Sequence, residues 1–252
     1  MKGFFQVCGR DWFPMYRRPF HLIKSIKEGN GKARGTCYKL YRYVCSEHAR
    51  RWNDQKGRYD YSYKFLSGRL NILQEKTGLS KVGVMSAKSK LMDMKLLRVE
   101  DGQLQAVHDV DFSTLAGIDG AAAENIESAG LLSNSYFSVP KVSMVENIFC
   151  EKWSGTTALV YDSLCEEVNR RGTSIVRFDK VHFLPQFSRN TLKTALKTLD
   201  MDAATGGQET GTGFIQVRND DATAKSIRGI TIEMLDPGTS QPIDPAALSV
   251  TH

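Results

Sequence analysis

Between residues 68 and 107 the apolar positions of this chain follow one helical period, break, resume it and then switch to alternation. Leu70, Ile72 and Leu73 place apolar groups on one side of a short helix. Thr77-Gly78-Leu79 ends it, with Gly78 suited to the left-handed conformation that closes a helix. Ser80 is a good N-cap for a second helix, in which Val84, Ala87, Leu91 and Met94 recur at spacings of three and four as one buried stripe. Ala87 is small enough to let two helices approach closely. The other face carries Lys81, Gly83, Met85, Ser86, Lys88, Ser89 and Lys90, and no acid before Asp93. Leu96, Leu97 and Val99 then read as a strand, Asp101-Gly102 as a two-residue hairpin turn, and Leu104 and Val107 as the return strand. Helix, tight turn, helix and hairpin is the order of a winged helix-turn-helix.

A related unit follows about a hundred residues later. The first unit opens with FFQV (Phe4–Val7) and the second with YFSVP (Tyr136–Pro140). Each continues into a helix with a tyrosine on its apolar stripe: Tyr38, Tyr41, Val44, Cys45 and His48 in the first, Leu159, Tyr161, Leu164, Cys165 and Val168 in the second. Aligning Tyr41 with Tyr161 aligns Cys45 with Cys165, and both helices are expected to end in paired arginines, Arg50-Arg51 and Arg170-Arg171. Placing Ser80 on Ser188 then sets Val84 on Leu192, Ala87 on Ala195 and Leu91 on Leu199. The first unit is longer between these landmarks, and a polar loop near NDQKGRYDYSYKF is expected to hold the excess. DAATGGQETGTG followed by FIQVR fits a long wing and its return strand, and SIRGITIEML fits one more strand.

The fold class expected is therefore α+β, helix-rich, with two tandem winged helix-turn-helix domains. Residues 1–112 form the first, 113–135 a Gly/Ala/Ser-rich linker and 136–220 the second; 221–252 hold a strand and a flexible tail.

Composition adds a partner. The net charge of +6 conceals 22 Lys+Arg against 8 Asp+Glu in residues 1–100, and 12 against 20 in the remainder. So positive a first part suggests a polyanion, and nucleic acid is the commonest. No apolar run reaches the ~20 residues of a membrane span, and Arg10 and Asp11 interrupt any signal-peptide core, so a cytoplasmic, DNA-associated protein is expected. The five cysteines (Cys8, Cys37, Cys45, Cys150, Cys165) form no C-x-x-C pair and read as small core residues. No phosphate loop, G-x-S-x-G, H-E-x-x-H or His-hydrophobe-His pair occurs, and His108-Asp109-Val110-Asp111 reads as a solvated loop. A binding protein with no catalytic residue, metal or cofactor is the expectation.

In a helix-turn-helix the N-terminal residues of the second helix lie nearest the bases. The candidate DNA-binding residues of the first unit are Ser80, Lys81, Val82, Gly83, Met85, Ser86, Lys88 and Lys90, with Arg98 on the wing. Lys81 suits guanine or a phosphate, Val82 a thymine methyl, and Gly83 close approach. In the second unit they are Ser188, Arg189, Asn190, Thr191, Lys193, Thr194 and Lys197; Arg189 and Asn190 suit guanine and adenine. On this reading the second unit is the more base-specific and the first the more electrostatic. Arg17, Arg18, Lys24, Lys27, Lys32, Arg34, Arg50, Arg51, Arg58 and Arg69 are further candidates for phosphates, some of them simply solvated.

The aromatic opening strands, the Tyr41 and Tyr161 helices and the Ser80 and Ser188 helices, over roughly residues 4–218, resemble the tandem winged-helix replication initiators of plasmids and related mobile elements, phage or satellite. The resemblance implies sequence-specific binding of double-stranded DNA at repeated origin sites, interconversion of monomer and homodimer, and recruitment of host replication proteins. The chain departs from that family in concentrating its positive charge in the first unit. Two alternatives share the pattern: a transcriptional regulator or partition-type DNA-binding protein, and a winged-helix protein-interaction scaffold for which the acidic second part is suited.

Overall fold

The computed structural model describes residues 12–26, 32–53, 58–63, 69–100, 103–107, 136–140, 148–177, 181, 187–200, 204–205, 208–209, 213–218, 230–236 and 240–243; for 12, 48–53, 58–63, 140, 204–205 and 208–209 it describes the backbone alone. FFQV, Asp101-Gly102, His108–Asp111, the expected linker 113–135, Cys8 and Lys27 lie outside the described residues. The chain is α+β, with helices and small antiparallel sheets. It divides into two compact units, one spanning Phe13–Tyr136 and the other Met1–Trp12 with Phe137–His252.

The first unit contains strand β1 (Trp12–Tyr16), helices α1 (Arg17–Lys24) and α2 (Lys32–Ser46), strands β2 (His48–Asn53) and β3 (Arg58–Tyr63), helices α3 (Leu70–Thr77) and α4 (Lys81–Asp93), and strands β4 (Leu97–Glu100) and β5 (Gln103–Ala106). Helix α2 is its centre. Tyr38, Leu40, Tyr41, Val44 and Cys45 are buried, and Phe20 of α1 meets Tyr38 edge to face at 5.5 Å. The Tyr41 hydroxyl donates to the carbonyl of Val107, at 3.3 Å, and so ties α2 to the residue after β5. Helix α3 stops where expected. Gly78 is left-handed (φ 64°) and its N–H returns to the Gln74 carbonyl at 2.8 Å. In α4, Val84, Ala87 and Leu91 are buried against the core, while Met94 is half-buried and caps the helix. Strands β4 and β5 pair antiparallel in the register Leu97↔Ala106 to Glu100↔Gln103.

The excess length of this unit is a β-hairpin and not a loop. β2 and β3 pair from His48↔Tyr63 to Asn53↔Arg58. The helix that precedes them therefore ends at Ser46, and His48, Arg50 and Arg51 lie on β2 instead of on its stripe and C-terminus. Tyr59, Tyr61 and Tyr63 alternate along β3, the period of a strand.

The second unit contains strand β6 (Tyr136–Pro140), a π-helical turn (Ile148–Lys152), helix α5 (Gly155–Arg171), strand β7 (Ile175–Arg177), helix α6 (Arg189–Leu199), the short strands β8 (Ala204–Thr205) and β9 (Gln208–Glu209), and strands β10 (Ile215–Arg218) and β11 (Thr231–Met234). Trp153, Tyr161 and Phe214 form an aromatic cluster in its core, with centroids 4.9–5.3 Å apart. Ser154 caps α5 by accepting from the Thr157 N–H at 3.0 Å, and Gly172 (φ 65°) ends it. Arg170 and Arg171 do close this helix, and both bond the buried carboxylate of Glu167.

Two expectations for this unit fail. FIQVR is not the return strand of the glycine-rich segment before it: β10 pairs antiparallel with β11, from Ile215↔Met234 to Arg218↔Thr231. β11 also pairs with β7, so the sheet order is β10-β11-β7 and the late strand is its middle member. Beyond it, residues 235–236 and 240–243 are no loose tail. Asp236 donates its N–H to the Gln241 carbonyl at 2.7 Å, Ile243 to that of Met234 at 2.9 Å, and Ile243 is buried. An apolar side chain seated on the sheet gives this segment the burial that a tail lacks.

Candidate nucleic-acid interface

Two helices present the residues singled out in the sequence, and both start in the same way. Ser80 and Ser188 have extended backbones (φ −64° in each), and each hydroxyl oxygen accepts a backbone N–H three residues on, from Gly83 at 3.1 Å and from Thr191 at 3.2 Å. The buried stripes match as well: Val84, Ala87 and Leu91 in α4, Leu192, Ala195 and Leu199 in α6. Each unit thus holds its helix by a Ser cap and a three-residue stripe, which fixes what the opposite side shows to solvent.

That opposite side repeats too. On α4 the exposed line is Val82, Met85, Ser86 and Ser89; on α6 it is Asn190, Lys193, Thr194 and Lys197, position for position in the alignment that superposes the caps. Lys81 and Arg189 are exposed just inside the two caps. The frames agree and the chemistry differs. Val82 is 75% and Met85 56% exposed, whereas the same places on α6 hold an amide and an ammonium. Neither helix carries an acid in its first turn, so nothing there offsets the positive end of the helix dipole.

Not every expected residue faces outward. Gly83 is half-buried. A Cβ on it would lie 3.2 Å from the Ser80 hydroxyl oxygen and 3.6 Å from Thr36 of α2, so the missing side chain makes room for the cap and for α2 and not for a ligand. Thr191 is half-buried, its hydroxyl 2.7 Å from that of Ser188, and belongs to the cap. Thr194 turns its hydroxyl proton back to the Asn190 carbonyl at 3.0 Å. Lys88 and Lys90 sit half-buried on the flanks of α4 and not on its outer line. The outer line of α4 is therefore uncharged and that of α6 carries the lysines, the reverse of the electrostatic grading read from sequence. Ser89, which the sequence places on this face without making it a DNA-binding candidate, completes the α4 line by its spacing from Met85 and Ser86.

The cations elsewhere sort by burial. Lys24 is buried with its ammonium 4.6 Å from the Phe20 ring centre, and Arg34 is buried with Nε and Nη2 donating to the Ile26 carbonyl at 2.9 and 2.7 Å. Both hold the fold and are removed from the phosphate candidates. Arg98 is exposed on β4, but it donates to Gln105 across the hairpin at 3.0 Å and pairs with Glu100 at 3.2 Å, so its charge is largely answered within the hairpin. Lys32 is exposed beside α4, and with Thr36, Gly83, Ser86 and Lys90 it lines a cleft of about 370 Å³ between α2 and α4.

Cys37, Cys45 and Cys165 are buried free thiols and Cys150 is half-buried. Burial pushes the Cys45 thiol up to about 12, against the opposing pull of the Tyr41 hydrogen bond and the Arg42 charge. Among the described residues no three His, Cys, Asp or Glu side chains converge, and no helix is long and apolar enough to cross a membrane. No protein-family model, curated protein or solved structure matches this chain.

Proposed function

We propose that the chain is a sequence-specific duplex-DNA-binding protein of two tandem winged-helix units that initiates replication of a mobile element at repeated origin sites. The observation that carries the DNA-binding reading is the pair α4 and α6. They are capped alike, buried alike and free of first-turn acids, and both turn a four-residue line to solvent. A helix of this kind, held by its inner stripe, is what a major groove accepts.

The strands support the winged-helix assignment. In the first unit α2, α3 and α4 precede the β4–β5 hairpin. In the second, helix α5 and strand β7 precede α6, and β10 and β11 follow with β11 between β10 and β7. That order matches the strand order of a winged helix, and on this reading the β10–β11 pair is the wing of the second unit. The initiator reading rests on the tandem arrangement: two readers on one chain suit repeated DNA elements, whereas a regulator with one reader gains its second by dimerisation. Recruitment of host replication proteins, with the acidic second part as a docking face, belongs to the same reading.

The test is to incubate the full-length protein with sheared DNA from its source and its mobile elements and to sequence what is retained. Specific binders exceed non-specific DNA by ~10³ or more at physiological salt, which sets the scale. One enriched locus of tandem repeats beside an AT-rich tract is the expected result. Enrichment at promoters would replace initiation by transcriptional regulation, and no enrichment would remove DNA binding and leave the protein scaffold.

A further inference from the structure

We infer that α4 recognises thymine methyl groups in the major groove, with Val82 and Met85 as the specificity-determining side chains. The inference rests on the duplex-DNA reading above. Val82 and Met85 are the two most exposed of the large hydrophobic residues on the described surface, at 75% and 56%. They lie three positions apart on one helix face, so they form a patch and are not scattered. The rest of that line is Ser86 and Ser89. No Arg, Asn, Gln, Asp or Glu stands between Ser80 and Asp93, so for hydrogen bonds to base edges α4 offers only its lysines and serines, and none of the lysines stands on the outer line.

What the Val82–Met85 patch itself can discriminate is apolar. Among the groups that base pairs present in the major groove, the thymine C5-methyl is the apolar one. Charge points to the same occupant. Lys81 is exposed beside the patch, Lys88 and Lys90 flank it, and residues 80–92 contain no acid. A polyanion is drawn to this frame, while an apolar protein partner gains nothing from three lysines. Three residues of helix advance about 4.5 Å along the axis, close to one base-pair step of about 3.4 Å, so the two side chains address neighbouring pairs. With Asn190, Lys193 and Lys197 in the equivalent places, α6 reads by hydrogen bond and charge instead. The chain then recognises an asymmetric site: a thymine-rich part under α4 and a part with purine contacts under α6.

Deoxyuridine differs from thymidine by that methyl alone, and it provides the test. The full-length protein selects duplexes from a random-sequence library, and the most enriched duplex is resynthesised with deoxyuridine at each thymine in turn. At two neighbouring T·A pairs each replacement should weaken binding about fourfold, the ~0.8 kcal/mol of one buried methylene-sized group. The V82A/M85A variant, altered only at exposed positions, should bind the thymine and deoxyuridine duplexes equally, while Arg189→Ala should preserve the discrimination. Equal binding of the two duplexes by the unaltered protein, or discrimination that survives in V82A/M85A, overturns the inference and leaves DNA binding standing. Failure to select any duplex overturns both.

Discussion

Replacing Lys193 and Lys197 together with alanine should weaken DNA binding while leaving folding unchanged or slightly improved, so the two readouts move apart. Both lysines are exposed on the outer line of α6, four residues apart on the same face. Like charges at that spacing cost an isolated helix roughly 0.2–0.5 kcal/mol, so their removal relieves a repulsion. Alanine also has the higher helix propensity. If each lysine neutralises one phosphate, the slope of log K against log[salt] falls by about 0.9 per residue, about 1.8 for the pair; at ~0.15 M salt that is a loss of roughly 30-fold. The assay is fluorescence anisotropy of a selected duplex titrated at four or more salt concentrations, beside a thermal melt followed by circular dichroism. The same change at Lys88 and Lys90 should flatten the slope less, because both are half-buried on the flanks of α4. An unchanged slope in the α6 variant, with an unchanged melt, would refute the placement of α6 against the phosphates.

Three further outcomes are expected. Ser80→Ala and Ser188→Ala should each cost about 1 kcal/mol of stability in urea titration, because each hydroxyl accepts the N–H three residues on; a loss at one site alone would mean that the two caps are not equivalent. Phe214→Ala should cost about 3–5 kcal/mol and alter the near-ultraviolet signal of Trp153, since the ring contacts both Trp153 and Tyr161 in the core. The Cys45 thiol has a folded pKa of about 12 against an ordinary 9.0, so the stability that its protonated form confers is complete below 9.0 and is lost as pH rises towards 12. Cys45→Ala should make the alkaline decline in stability shallower, and an identical decline in the variant would refute it.

The two helix starts and the stripes behind them were legible because their causes are local. A serine at a cap, a glycine in a left-handed turn and apolar side chains three and four apart act within one or two turns of chain, and Ser80, Gly78 and the Val84/Leu192, Ala87/Ala195 and Leu91/Leu199 pairs all stand where the sequence places them. What was not legible depends on partners distant in sequence. The three residues of β7 are too few to show alternation, and their strand status comes from β11, far along the chain. β3 carries a local signal, since Tyr59, Tyr61 and Tyr63 repeat every second residue, but the charges of the same stretch point to a loop. The partners of Lys24 and Arg34 are near in sequence, the Phe20 ring one turn back on the same helix and the Ile26 carbonyl eight residues before Arg34, but the burial of both cations depends on how α1 and α2 pack in the tertiary fold. The same limit applies to the candidate interface. Sequence identified the residues of the α4 and α6 starts, but which of them turn outward follows from what α2 and the caps occupy.

The middle position of β11 bears on how the protein is made. During synthesis β7 and β10 leave the ribosome before the strand that joins them, so until residues 231–234 follow, each exposes unpaired backbone groups and apolar side chains such as Val176 and Ile215. The sheet of the second unit closes late, because its middle strand is the last of the three to be made. A chain cut at residue 230 should leave β7 and β10 each with an open edge that can find the wrong partner, and it should lose soluble yield.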